Sequence, residues 1–290
     1  MHALIKSQRK ELIKQAISYL FNIEKLDLSI KKANFALKNA YIDVKRKREQ
    51  VLNGFLDGSF LDEALLKLNE SKHNLVDLKH QKKELINSFH NISSKHYTKF
   101  ELPTFSILSK KDFLDKNLNL KKANENIKKE RHLKNMTISN YLPAVNFYYN
   151  YSKTHFTDGN PIAGQTNSQT FGLSVTIPLD IKMFNTIESQ KISYLKTKLD
   201  LKNKKDDEIS FYKTKLDRID MLNQRIKISY DDIKLYDSIL DIIKEEKEAE
   251  LKTQSDYDTL ANSRKITALD LQLYKLDKQI VLLDLYSRLN

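Results

Sequence analysis

Two groups of residues in this chain have types and spacings that could carry chemistry. His73 and His80 stand seven apart with Asp77 between them, so on a helix they share a face and could bind a divalent metal; a solvated helix face gives the same pattern. Asp62 and Asp258 each follow a serine by three residues, Ser59 and Ser255, at the head of a charged heptad run. That S-x-x-D spacing suits a capping box, with the acid in the first turn beside the helix dipole. The sequence has no G-x-x-x-x-G-K, G-x-S-x-G, H-E-x-x-H or EF-hand pattern, so the usual signals of nucleotide, hydrolytic and metal chemistry are missing. With no cysteine there is no thiolate nucleophile, disulfide or Cys-based metal site. The expectation is a protein with neither catalysis nor cofactor.

The elements that carry these residues follow from composition and periodicity. Thirty per cent of the 290 residues are charged, against five Gly, four Pro and no Trp, a composition of long helices packed side by side. The net charge of +12 would suit nucleic acid or anionic lipid, but the basic residues are spread along the chain among 38 acidic ones, as on solvated helix faces. The densest basic runs, "VKRKRE" at 44–49 and "KKERHLK" at 128–134, lack the interleaved aromatics of a single-strand groove, so no nucleic-acid partner is expected. No run of 18 apolar residues exists, which argues against a transmembrane helix. The opening "MHALIKSQRKELIK" lacks the apolar core of a secretory signal and by itself would point to the cytoplasm.

Residues 1–92 read as a first helical hairpin. One seam runs through Ile23, Ile30, Leu37, Val44 and Val51 with Leu26, Ala33 and Ala40; "NGFLDGS" at 53–59 breaks it at Gly54 and Gly58. The return helix carries Leu68, Leu75, Leu78, Leu85, Phe89 and Ile92. Residues 93–110 lose the heptad and form a connector, and a helix over 111–140 carries Phe113, Leu120 and Ile127. Residues 141–180 hold two alternating stretches around a loop at 153–169, and 181–290 form a second helical hairpin. Its first helix, 181–251, would run on the order of 100 Å at ~1.5 Å per residue.

The hairpins look like copies offset by 196 residues: Ser59 matches Ser255, Asp62 matches Asp258, Leu75 matches Leu271, and Lys79 and Lys82 match Lys275 and Lys278. Since 196 is a multiple of seven, the seams would align at this offset for any two heptad helices, and the independent signal is the coincidence of breaks and caps. On this arithmetic the first copy would begin about fifteen residues before Met1, so the chain reads as the remainder of a longer two-repeat protein.

In "YLPAVNFYYNYS", Val145, Phe147, Tyr149 and Tyr151 share one face, and Asn146, Tyr148, Asn150 and Ser152 the other. In "TFGLSVTIPL", Phe171, Leu173, Val175, Ile177 and Leu179 alternate with Thr170, Gly172, Ser174 and Thr176. Such strands either pack an apolar face on a helix or cross a bilayer as part of a β-barrel. The aromatic face, the small polar opposite face and the cost of exposed strand edges favour the barrel. Val145, Phe147, Tyr149, Tyr151, Phe171, Leu173, Val175 and Ile177 would then face lipid, and Asn146, Asn150, Ser174 and Thr176 the lumen. Identical neighbours would have to complete the barrel.

The order of long helix, tip, short helix, connector, helix, strand pair, long helix, tip and short helix resembles the TolC family of outer-membrane efflux proteins. The segments carrying the likeness are Leu142–Pro143 before the first strand, "GLSVTIPL" at 172–179 and "IESQKISYLKTKL" at 187–199. The resemblance implies a mainly α fold with a small β part: long coiled-coil hairpins forming a tunnel, plus a two-stranded hairpin contributing to a trimeric outer-membrane barrel. It implies a homotrimer in outer-membrane lipid that extends into the periplasm and meets a periplasmic adaptor and an inner-membrane transporter at tips including Gly54, Gly58, Ser59, Asp62, Ser255 and Asp258. The implied function is a passive exit duct of a tripartite efflux pump or type I secretion system. The family's signal peptide and first strand pair have no counterpart here, and at the second tip Lys252 and Thr253 stand where glycine is usual. In the family's tip lock an acid meets a Tyr and an Arg; Asp62 matches the acid, while Ala249 and Gln254 hold the other two places. Asp258 falls at the family's acidic constriction, where three copies would make a cation-favouring ring; an ordinary first-turn acid is the other reading. The competing function is a soluble coiled-coil scaffold or tether that binds anionic surfaces through its lysines.

Overall fold

The structure is a computed structural model that describes residues 2–93, 97–98, 100–154, 166–178 and 180–289; the side chains of 2–7, 154 and 166 are outside that description. The elements are α1 (His2–Leu52), α2 (Gly58–Ile92), α3 (Lys110–Lys116), α4 (Leu118–Ser139), β1 (Ala144–Thr154), β2 (Thr166–Thr176), α5 (Met183–Glu248) and α6 (Gln254–Ser287). They divide into two units, one of residues 1–116 and 209–290 and one of residues 117–208. The architecture is the expected one, mainly helical with a small β part. Leu179 and residues 155–165 of the expected loop lie outside the described residues.

In the first unit α1 packs against both α2 and α6. The seam with α2 buries Val44 on Ala64 and Leu68, with Leu37, Ala40, Leu61 and Leu65 around them. The seam with α6 carries a row of polar contacts that repeats every seven residues of α1. Lys25 pairs with Asp277, Lys32 with Asp270 at 2.6 Å, and Arg46 with Asp256 at 3.7 Å. At the intervening step Asn262 donates to the Asn39 side chain at 2.9 Å, and Asn39 donates to the Thr259 carbonyl at 3.3 Å. Each part-exposed ion pair adds no more than about 1 kcal/mol. The Asn pair contributes register, since a buried amide in a helical seam tolerates no slip.

Aromatics and aliphatics close the other end of this unit. Phe113 of α3 packs with Tyr212, Ile219 and Leu222 of α5 and Val281, Leu282 and Leu285 of α6. Burial of such side chains contributes about 1.5–3 kcal/mol each. The connector is strapped across them: the Gln279 side chain accepts from the Phe105 N–H at 2.7 Å and donates to its carbonyl at 3.4 Å, mimicking a strand partner. Tyr212 donates to the Leu108 carbonyl at 2.6 Å, and burial of its ring raises the phenol pKa.

The single helix expected over 111–140 is two helices. Asn117 interrupts it: its side-chain oxygen accepts from the N–H groups of Asn119 and Leu120 and caps α4, while its amide donates to Glu208 at 2.9 Å. Asn119 donates to the other Glu208 oxygen at 2.9 Å. Asparagine favours an N-cap over a helix interior because its side chain competes for nearby backbone N–H groups. These contacts lie in the second unit, where α4 also meets α5 through Gln190 to Glu130 and through Lys134 over the Tyr194 ring.

The offset of 196 recurs in the backbone. α1 ends at Leu52 and α5 at Glu248; α2 begins at Gly58 and α6 at Gln254. Phe55 N–H donates to the Gln50 carbonyl at 2.9 Å, and Leu251 N–H to the Glu246 carbonyl at 2.8 Å, so both helices end in the same Schellman-type turn. Beyond the seams, Lys82 meets Asp27 and Lys278 meets Asn223, again at matched positions. The left-handed residue of the turn is Gly54 (φ 73°) in the first copy and Glu250 (φ 61°) in the second. The left-handed position of the second turn is therefore held without a glycine, at Glu250. A non-glycine residue in that conformation costs roughly 1–2 kcal/mol, partly offset by the entropy a glycine loses on folding. Glu250→Gly is expected to raise stability by about 0.5–1 kcal/mol, read as a higher urea midpoint; Gly54→Ala should lower it by a similar amount.

Candidate functional site

β1 and β2 form a two-stranded antiparallel sheet with Val145 opposite Val175, Phe147 opposite Leu173 and Tyr149 opposite Phe171. The period-two alternation thus puts the bulky apolar side chains of both strands on one face, directly across from each other. The reading in which this face packs on a helix fails on exposure. Val145, Phe147, Tyr149, Phe171, Leu173 and Val175 are 56–75% exposed, and Tyr151 and Ile177 also lie open. Tyr151 sits opposite Gln169, and Ile177 lies just past the end of β2.

The opposite face pairs Asn146 with Ser174, Asn150 with Thr170, and Ala144 with Thr176. Ser152 and Ser168 bring their hydroxyls to 3.3 Å. Tyr148 is the one large ring on this side, and it lies over Gly172, where a Cβ would come within 2.5 Å of its ring and hydroxyl. Glycine in the strand is thus the space Tyr148 occupies. Among the described residues each strand pairs only with the other, so the outer edge of each carries unpaired backbone groups.

At the helical end, both tips are capped two residues earlier than the serines suggest. Asp57 caps α2, accepting the Ser59 N–H at 2.8 Å, and Thr253 caps α6 in a reciprocal box with Asp256. The expected pairs Ser59/Asp62 and Ser255/Asp258 are not the caps; T-x-x-D at 253–256 and Asp57 were legible alternatives, and the turn geometry selects them. Hydrogen bonds from the Ser59 backbone lower the Asp57 pKa, and bonds from the Thr253 side chain and backbone lower that of Asp256. The tips also expose Leu52, Phe55 and Leu251, the last two at matched positions of the copies.

Asp62 is exposed and has no ion-pair partner among the described residues. Asp258 accepts from Gln254 at 2.8 Å, and Gln254 accepts from Lys247 at 2.9 Å. Asp258 lines a hollow of about 650 Å³ with Lys38, Arg264 and Lys265. Arg264 is held by Asp237, whose pKa falls because of that bond. His73 and His80 are exposed on α2, with His80 3.7 Å from Glu84, and no group of three potential metal ligands exists among the described residues. No described helix is long and apolar enough to cross a membrane.

Because Asp57 and Asp256 are depressed in the folded chain, their caps contribute fully above the ordinary carboxylate pKa of about 3.9 and are lost as pH falls through the lower folded values. Amide exchange in the first turns of α2 and α6, corrected for intrinsic rates, should lose protection below about pH 4. Asp57→Asn, which keeps an acceptor that does not titrate, should remove the acid-induced loss at α2 alone.

No family model matches the sequence, and no curated protein matches it. Solved structures do match its fold. The CmeC outer membrane channel of Campylobacter jejuni superposes with a TM-score of 0.69 at 14% identity, over 99% of this chain and 64% of that one. The outer membrane protein VceC of Vibrio cholerae gives 0.69 at 13% identity, over 99% of this chain and 73% of its own. The open state of the MtrE outer membrane channel of Neisseria gonorrhoeae gives 0.61 at 13% identity, over 98% and 70%. The chain therefore has the fold of these channels and spans about two thirds to three quarters of their length, which agrees with the likeness to the TolC family in its helix and strand order.

Proposed function

We propose that the chain is a protomer of an outer-membrane exit channel, a passive conduit for efflux or type I secretion. The observation that carries this reading is the strand pair: one exposed face apolar from Val145 to Tyr149 and from Phe171 to Val175, one mostly small and polar face and two open edges, in a chain with the fold of outer membrane channels. In hydrocarbon every backbone group needs an internal partner, and two strands cannot supply that alone. Neighbouring copies in a homotrimer would complete the barrel, with Val145, Phe147, Tyr149, Phe171, Leu173 and Val175 toward lipid and Asn146, Asn150, Ser174 and Thr176 toward the lumen. The helical hairpins would extend into the periplasm, where the tips meet an adaptor that joins an inner-membrane transporter, the source of energy for export. On this reading Asp258, flanked by Lys38 and Lys265, contributes charge near the tip, and no residue acts as a catalyst.

The test is expression in an outer membrane followed by detergent extraction and reconstitution in a planar bilayer. The expected result is a trimer that conducts ions; a water-soluble monomer would refute the channel and favour the scaffold reading. Leu173→Arg should reduce the assembled fraction, because a cation at the bilayer midplane of a barrel's lipid face costs about 2–4 kcal/mol. The same change at Ser174 should alter conductance while sparing assembly.

A further inference from the structure

Beside the second tip, α1, α5 and α6 border the hollow of about 650 Å³ that holds Asp258. That volume is in the range of small-molecule sites. Ile42, Leu240 and Ala261 give it apolar lining, and Tyr41 and Tyr257 add ring surface with a hydroxyl at the edge. The residues from α6 stand three and four apart, so they share one face of that helix.

The charge of this hollow is unbalanced. Lys38, Arg264 and Lys265 line it against the single acid Asp258, and Arg264 is already held by Asp237 through two hydrogen bonds. Lys38 and Lys265 both stand over the Phe35 ring, each 5.2 Å from its centre. Lys72 stands over the Tyr41 ring at 5.6 Å and Lys247 over the Tyr257 ring at 5.5 Å. None of these four lysines has an ion-pair partner among the described residues. Asp258 does not supply one, since it accepts from Gln254 at 2.8 Å and pairs with neither Lys38 nor Lys265. An aromatic face attracts an ammonium group without neutralising it, so two lysines drawn to one ring still repel each other. Free lysines would swing apart into water; these converge, and no described acid separates them.

We propose that the hollow binds an amphipathic organic monoanion, a carboxylate carried on an aromatic or alicyclic body. The carboxylate accepts charge-assisted hydrogen bonds from Lys38 and Lys265, and the body rests on Tyr41 and Tyr257 above Ile42 and Leu240. The concave setting concentrates the field of the lysines. Asp258 opposes a second negative charge, which selects a single anionic group over a polyphosphate. The site belongs to one copy of the chain and does not depend on the channel reading.

Naphthoate is the probe, titrated calorimetrically into the full chain in non-ionic detergent, with titration into detergent alone subtracted. Naphthylmethylammonium, the same rings with the opposite charge, is titrated in parallel. The expected result is saturable binding of naphthoate at one site, weakened by added salt, and none of the cation. Lys38→Gln and Lys265→Gln should each raise Kd about fivefold or more, while Lys38→Arg and Lys265→Arg, which keep the charge, should hold most of the affinity. Asp258→Asn should lower Kd. All three side chains are exposed, so helix content read by circular dichroism should not change. Equal binding of the two probes, a Kd indifferent to both glutamine changes, a loss that arginine does not rescue, or no saturable binding of naphthoate would each overturn the site. Ion conduction by the same preparation reads the channel separately, so either conclusion can fail while the other stands.

Discussion

Lys25, Lys32, Asn39 and Arg46 recur every seven residues on α1, and their partners Asp277, Asp270, Asn262 and Asp256 recur along α6 in the opposite direction. Each contact is modest, since part-exposed charges are screened and water competes for them. What they determine is position. An aliphatic seam tolerates a slip of one heptad at little cost, whereas a buried amide pair between two ion pairs does not. With that register held, the ends of α1 and α5 and the starts of α2 and α6 stand at equivalent places, and the two tips present the same turn side by side.

The second unit follows a different rule. Among the described residues its strands join no core; their register follows the alternation, with Val145, Phe147 and Tyr149 of one strand opposite Val175, Leu173 and Phe171 of the other. Tyr148 over Gly172 is the exception on the polar side, a ring accommodated by the absence of a Cβ. Such a sheet is poorly stabilised in water as it stands, because its apolar face and both edges lack partners. In the proposed setting a bilayer and neighbouring strands would supply both.

The element order, the two tips and both faces of the strands were legible in the sequence, because heptad spacing and strict alternation are local patterns with one geometric outcome each. The caps were less so. Thr253-x-x-Asp256 and Ser255-x-x-Asp258 offer the same signature two residues apart, and only the direction in which the chain leaves the turn selects the first. The break at Asn117 was also ambiguous, since an isolated asparagine interrupts a helix only when something receives its amide, and here that is Glu208, ninety-one residues on.

The amino-acid sequence by itself determined that this protein is built of long helices and one amphipathic strand pair, for periodicity acts through neighbours a few residues away. Tertiary structure decided that the apolar strand face stays exposed among the described residues, and that α1 meets α6 through a heptad row of charge and amide contacts. The row between α1 and α6 depends on groups more than two hundred residues apart, such as Lys25 and Asp277, and no local pattern reports which of many lysines will find which aspartate.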